Sequence, residues 1–149
     1  MKHPRTWYVV ADGGRARVLQ KREGRDGFDI QLELVSTEIH SSTRDLGAER
    51  PGRGHESANA AHHAVEPRED LHRAEKLQFV DEVAEALNQA NARGAFDRLI
   101  LVAPARALSE LRDALDAETG RKVVGELQKD LTKAPVADLA QHFADVGGG

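Results

Sequence analysis

The pattern of apolar and polar positions predicts three short strands near the start of the chain. Thr6–Ala11 is rich in β-branched and aromatic residues, and Arg15–Gln20 places its two arginines on one face and Ala16 with Val18 on the other. Phe28–Leu34 alternates throughout its length. β-branched and aromatic residues favour strands, which predicts the first strand, and a period of two is typical of half-buried strands, which predicts the other two. In the third, the apolar residues predicted to share one face are Phe28, Ile30, Leu32 and Leu34.

Glycine-containing turns separate these strands. Asp12-Gly13-Gly14 follows the first strand, and Gly24–Gly27 follows the second. Glycine adopts positive φ angles without steric penalty, so both segments favour tight turns and an antiparallel meander. The first turn joins two strands instead of opening a helix, which argues against a dinucleotide-binding fingerprint.

Helical spacing begins near Asp70, just before the middle of the chain. Asp70 is a predicted N-cap and Gly94 a predicted C-terminal stop. Leu99–Ala103 is apolar at every position, as expected for a central strand covered on both faces. The stripe predicted to be buried on the first helix consists of Leu77, Val80, Val83, Ala84, Leu87 and Ala90.

Two further helices and one further strand complete the pattern. Pro104 opens a predicted helix that Gly120 ends, and Pro135 opens the last one. Val123–Leu127 is a weaker strand in which Gly125 marks a predicted bulge. The predicted buried residues are Leu108, Leu111 and Leu115 in the former helix and Val136, Leu139, Ala140 and Phe143 in the last.

The element order is therefore β-β-β-α-β-α-β-α. The β-α-β unit after residue 98 requires parallel strands joined by a right-handed crossover. We expect an α/β (α+β) fold with a mixed five-stranded sheet and helices on its faces, which is the connectivity of ribonuclease-H-like folds. Residues 1–149 are interpreted as one domain, with a flexible loop at about 41–66 and a frayed tail at 146–149.

The loop at about 41–66 is the main irregularity, because no apolar period continues through it. A connection of this length inside a compact domain is usually functional or disordered. The alternative is an ordinary surface loop whose acidic residues offset its charge. The predicted nucleic-acid-binding residues are Arg15, Arg17, Arg44, Arg50, Arg53 and His55, because guanidinium groups bind phosphates bidentately.

Charge is unevenly distributed along the chain. The first 25 residues carry seven cationic and two acidic side chains, a net charge of +5, whereas the whole chain has a net charge of −4. A basic end on an acidic body can steer a polyanion, although a solvated hairpin with ordinary charges has the same composition.

Other kinds of chemistry are less well supported. The absence of cysteine excludes disulfides, thiolate metal sites and a cysteine nucleophile. His62, His63 and Glu66 are the only candidates for a metal site, and no metal or other cofactor is predicted. Neither the carboxylate pattern of a ribonuclease-H-type nuclease nor a GxSxG motif is present, so a non-enzymatic role is favoured. The residues of a second candidate ligand site are Asp12, Lys129 and Asp130.

Several stretches, in order, resemble the bacterial host attachment family. They are Trp7–Arg17, Asp45-Leu46 with Arg50-Pro51-Gly52-Arg53, Phe96–Pro104, Leu108 with Leu111-Arg112, and Lys129–Thr132. The resemblance extends to the middle domain of archaeal and eukaryotic peptide release factors and Pelota. It implies a ribonuclease-H-like core and a loop that acts on peptidyl-tRNA, but the 41–66 loop lacks the Gly-Gly-Gln tip of the release factors.

Three functional hypotheses follow. The first is a cytoplasmic, release-factor-like module that binds ribosome or tRNA through the basic hairpin and the arginine loop. The second is a surface protein that attaches to host cells, and the third is a hydrolase acting through the 41–66 loop. The apolar stretch from Trp7 to Ala11 is too short for a signal peptide, and no segment is long enough to span a membrane. The oligomeric state stays open.

Overall fold

The elements follow the predicted order in a computed structural model, which describes residues 4–24, 26–36 and 71–144. Asp70, the 41–66 loop and the 146–149 tail lie outside these ranges. The elements are β1 Thr6–Ala11, β2 Arg15–Lys21, β3 Phe28–Val35, α1 over residues 71–92, β4 Arg98–Val102, α2 Ala105–Ala114, α3 Ala117–Gly120, β5 Val123–Leu127 and α4 Val136–Phe143.

The strands form a mixed five-stranded sheet in the order β3-β2-β1-β4-β5. β1 pairs with β4 and β4 with β5 in parallel, whereas β2 is antiparallel to both β1 and β3. The predicted α/β class and mixed sheet are confirmed, and this topology is compatible with a ribonuclease-H-like fold.

Helices cover both faces of the sheet and enclose two apolar cores. α1 and α2 cover one face, called here the α1/α2 face, and α4 covers the other, called the α4 face. The side chains of β4 alternate between them: Leu99 and Leu101 point to the α1/α2 face, and Ile100 and Val102 to the α4 face. The prediction that this strand is buried on both sides is therefore confirmed.

A bulge in β3 overturns the prediction that its apolar residues share one face. Val18 pairs with Leu32 and Leu19 pairs with Ile30, so Gln31 is an extra residue in β3. An extra residue moves the following side chains to the opposite face. Phe28 accordingly packs in the α4-face core, whereas Leu32 packs against the α1/α2-face core.

The other edge strand is also bulged. Leu99 pairs with Val123 and Ile100 with Gly125, which leaves Val124 as the extra residue. The predicted irregularity at Gly125 is thus confirmed to within one residue. β3 and β5 are the two edge strands of the sheet, and both are bulged. Bulges at sheet edges disfavour pairing with another chain.

The segment predicted as one helix from Pro104 to Gly120 is two helices. α2 ends at Ala114, and Asp116 then acts as the N-cap of α3, its side chain accepting a hydrogen bond of 2.8 Å from the Thr119 amide. This bond holds the pKa of Asp116 below its ordinary value. The Asp116 amide donates to Asn88 Oδ1 at 3.0 Å, so the break between the helices is fixed by α1.

The other helix ends follow the sequence more closely. Gly94, with φ of 72°, ends α1 in a Schellman motif: its amide donates to Asn91 and that of Ala95 to Ala90. In α4, Leu139 and Phe143 are buried, and the prediction that Ala140 is buried is wrong. Residues four apart share a helix face, so Leu139 and Phe143 contact the sheet and Ala140 is turned away.

An ion pair holds β1 beside β4 at the start of both strands. The Arg5 backbone amide donates to Asp97 Oδ2 at 2.8 Å, and its Nε donates to the same oxygen at 3.2 Å. The backbone bond, followed by the side-chain bond, lowers the pKa of Asp97. Both side chains are about half exposed, so the pair fixes register more than it adds stability.

None of the helices in the described ranges combines the length and the apolar composition needed to cross a bilayer.

Candidate functional site

A cavity of about 770 Å³ opens at the carboxyl ends of the parallel strands. It lies between the described start of α1 and the start of α2, beside the turn after β1 and the loop after β5. Open α/β sheets commonly bind ligands at this edge. This carboxyl-edge crevice is lined by Asp12, Gly13, Gly14, His72, Arg73, Lys76, Leu77, Val80, Pro104, Arg106, Ala107, Glu110 and Asp130.

The turn after β1 is held by the side chain of Asp12. Its Oδ1 accepts hydrogen bonds of 2.8 Å from the amides of Gly14 and Arg15. Gly13 passes directly beneath α1, because a Cβ built there would lie 2.8 Å from Cγ of Lys76. The turn therefore brings a bare stretch of backbone against a lysine of the crevice.

Thr132 links the turn after β1 to the loop after β5. Its Oγ1 lies 3.1 Å from Asp12 Oδ2 and 2.7 Å from Asp130 Oδ1. The Thr132 amide also donates to Asp130 Oδ1, at 3.1 Å. A hydroxyl has one hydrogen and can donate to one of these carboxylates at a time. Buried Thr132 thus fixes both acids along one wall of the crevice.

The second candidate ligand site is brought together in part. Asp12 and Asp130, 118 positions apart, both line the crevice, whereas Lys129 is exposed and does not line it. That these acids contact a ligand stays a prediction. Thr132, which joins them, was not singled out from the sequence as a site residue, because a lone threonine carries no recognisable pattern.

Arg17 has a structural role. Its Nη2 donates to the carbonyl oxygens of Leu131 and Ala134, at 2.7 and 2.6 Å. Arg15 lies on the same face of β2 and is exposed, as the alternation predicts. The guanidinium of Arg17 is half-buried and occupied by the loop after β5, so phosphate binding through Arg17 remains only a prediction.

The remaining predicted site residues lie outside the described ranges. They are Arg44, Arg50, Arg53 and His55 of the proposed nucleic-acid site and His62, His63 and Glu66 of the candidate metal site. Their convergence with Arg15 is untested. Within the described ranges, no three histidine, aspartate or glutamate side chains are grouped so that they could hold a metal ion.

Cationic side chains of the crevice were missed by the sequence analysis. Lys76 comes from α1 and Arg106 from the first turn of α2, and neither makes an ion pair with another described residue. Arg73 of α1 also lines the crevice and was not singled out from the sequence. The position of Arg106, just after a buried strand and Pro104, is the signal that could have indicated it. The α2 N-cap, Pro104, offers no side-chain hydrogen bond to the first-turn amides of this helix.

The floor of the crevice is apolar. Leu77 and Val80 of α1 and Ala107 of α2 line it, and Val80 is also part of the α1/α2-face core. Ligand sites typically combine an apolar surface with a few convergent polar groups, and this crevice has that composition.

Comparison with known families shows to which family the chain belongs. A family model described as "Protein required for attachment to host cells" matches residues 7–143. The chain belongs to this host attachment family. The match confirms the resemblance read from the sequence, while the likeness to release factors stays a prediction. No curated protein matches the chain. Every residue that lines the crevice lies within the range matched by the attachment family.

Proposed function

We propose that the protein serves attachment to host cells as a ligand-binding module whose working site is the carboxyl-edge crevice. The family description supports the attachment role. The observation that carries the site is the crevice itself, where Lys76 and Arg106, which form no ion pair with another described residue, converge with two fixed carboxylates and an apolar floor from distant parts of the chain. Its volume lies in the range of small-molecule sites, roughly 300–1,000 Å³.

Charge reversal in the crevice tests this proposal. In a strain that lacks the protein, we expect Arg106→Glu to restore less attachment to host cells than the unaltered chain, because it repels an anionic ligand. Arg121→Glu is the matched control, since Arg121 is an exposed cation just before β5, at the opposite end of the sheet. Adherent cells are counted, and circular dichroism verifies that both variants fold.

Two results would contradict the proposal. In the first, both variants restore as much attachment as the unaltered chain; in the second, both variants lose attachment to the same extent. Fractionation of the same cells then separates two modes of action. Protein recovered from the outer surface would favour direct adhesion, as in the second hypothesis from the sequence. Protein recovered from the cytoplasm would place its contribution upstream of attachment.

A second candidate function is binding of ribosome or tRNA in the cytoplasm, as the release-factor resemblance suggests. One described feature favours it: exposed Arg15 directly follows the Asp12 turn that lines the crevice. Arg15 is thus an exposed cation one residue beyond the crevice lining, on the α4 face of the sheet, and in this candidate function it would contact a phosphate backbone that continues past the crevice.

Salt dependence tests this second candidate. We expect tRNA binding at low salt that weakens steeply as salt rises, because phosphate contacts release counterions. Arg15→Glu should reduce binding several-fold, and Arg93→Glu, at an exposed position after α1, should not. Fluorescence anisotropy with labelled tRNA measures both. Absence of tRNA or ribosome binding at low salt would eliminate this candidate.

A further inference from the structure

We infer that the ligand of the carboxyl-edge crevice is a phosphate monoester joined to a planar or apolar group, the size of a nucleoside monophosphate. The inference rests on the proposed function, because it takes the crevice as the working site. Three features of the described residues support it: the availability of the charged atoms, the apolar floor, and the contact between Gly13 and Lys76.

The charged atoms of the crevice differ in their availability. Asp12 uses Oδ1 for the Gly14 and Arg15 amides and has the Thr132 hydroxyl 3.1 Å from Oδ2, and Asp130 uses Oδ1 for the Thr132 amide. The cationic groups of Lys76 and Arg106 have no ion-pair partner among the residues that the structure describes. A ligand therefore meets available positive charge on Lys76 and Arg106, whereas the carboxylates of Asp12 and Asp130 are held by the turn and by Thr132. Among the described acids of the crevice, Glu110 alone has no hydrogen bond or ion pair with another described residue.

Phosphate suits this pair of cations. The Arg106 guanidinium can donate two parallel hydrogen bonds to phosphate oxygens, and the Lys76 ammonium adds a point charge. Arg106 lies in the first turn of α2, where amides without a side-chain cap add further donors. Glu110, one turn later in α2, also lines the crevice and would disfavour an anion placed deeper along this helix.

The apolar floor of the crevice favours a ligand that carries an apolar group in addition to a phosphate. Leu77, Val80 and Ala107 form a surface with no hydrogen-bonding side chain, and a bare phosphate would leave it uncovered. A planar or aliphatic group lying on these side chains would remove apolar area from water. Oδ2 of Asp130, which accepts no hydrogen bond from another described residue, could accept one from a hydroxyl of the same ligand.

Gly13 sets the position of Lys76. A Cβ at this residue would lie 2.8 Å from Cγ and 2.9 Å from Cδ of Lys76, closer than side-chain atoms tolerate. The aliphatic stem of the lysine thus lies across the bare backbone of the turn. Gly13→Ala would displace this stem while leaving the charge of the chain unchanged, which separates the placement of the ammonium from its presence.

Calorimetric titration of the full-length protein with adenosine monophosphate, adenosine and inorganic phosphate tests the inference. We expect saturable binding of adenosine monophosphate, with a Kd at least about tenfold lower than for either fragment. Lys76→Met and Arg106→Met should each raise that Kd about tenfold. Gly13→Ala should also raise the Kd for adenosine monophosphate, and Arg121→Met should leave this Kd unchanged.

The inference is overturned if adenosine binds as tightly as its monophosphate, if Arg121→Met weakens binding as much as Lys76→Met, or if the monophosphate shows no saturable binding. Its failure can be told from that of the proposed function. If Arg106→Glu loses attachment but the unaltered protein does not bind the nucleotide, the site is retained and the ligand class is rejected. Nucleotide binding with normal attachment by Arg106→Glu would retain the ligand class and reject the function.

Discussion

Arg17→Met is expected to lower the free energy of unfolding by about 2–4 kcal/mol. In the folded protein, one guanidinium nitrogen of Arg17 donates to the carbonyl oxygens of Leu131 and Ala134. Methionine has a similar apolar stem but no donor, so both carbonyls lose a charged partner. Hydrogen bonds to charged groups contribute about 1.5–3 kcal/mol each, and an unsatisfied buried acceptor adds its own desolvation penalty.

Urea unfolding followed by the fluorescence of Trp7, the only tryptophan in the chain, measures this effect. Arg15→Met is the matched control, because Arg15 lies on the same face of β2 but is exposed, and its replacement should change stability by less than about 0.5 kcal/mol. If Arg17→Met and Arg15→Met change the free energy of unfolding equally, the hydrogen bonds of Arg17 to the loop after β5 add nothing to stability.

The same bonds connect distant parts of the candidate site. The loop after β5 carries Asp130 and Thr132 into the crevice, and Arg17 of β2 holds that loop from the α4 face. Because Thr132 also bonds Asp12, the loop is held at two points. We infer that the wall of the crevice depends on a residue that does not line it.

Local patterns were sufficient for the architecture. β-branched and aromatic composition identified β1, alternation identified β2, a fully apolar run identified β4 as a strand covered on both faces, and Gly94 marked the end of α1. Each of these signals depends on residues that are neighbours in sequence, whose spacing directly reflects the geometry of a strand, helix or cap.

The errors arose where distant residues decide local structure. The alternation of β3 is regular in sequence, and only its pairing with β2 reveals that Gln31 is extra. The helix break at Asp116 depends on Asn88, 28 positions earlier. The sequence pattern within β3 does not reveal its register with β2, and the pattern around Asp116 does not reveal its contact with Asn88.

The candidate site was predicted least well for the same reason. Asp12 and Asp130 were named, but Lys76 and Arg106 were not, because their helices position them beside the Asp12 turn only in the folded chain. Arg17 was assigned to its correct face, yet its partners lie 114 and 117 positions away. Sequence alternation gives the face of a side chain and not the group that it meets there.

Truncation of Phe143 is expected to have the largest effect on stability, with Phe143→Ala lowering the free energy of unfolding by about 3–5 kcal/mol. α4 is eight residues long, and isolated helices of this length are not stable in water. Its attachment to the sheet therefore depends on buried contacts. The Phe143 ring stacks on Tyr8 at 4.4 Å between centroids and meets Phe28 edge to face at 5.5 Å.

Tyr8, the only tyrosine in the chain, provides a local measurement of the same change. Burial disfavours the charged tyrosinate and raises the pKa of Tyr8 above its ordinary value of 10.0. In Phe143→Ala, water reaches the ring, so the tyrosinate absorbance should appear at lower pH than in the unaltered protein. Phe143→Leu, which fills most of the volume, should show smaller changes in both stability and titration. A Phe143→Ala variant that unfolds at the same urea concentration and titrates at the same pH as the unaltered chain would mean that α4 is held on the sheet by other contacts.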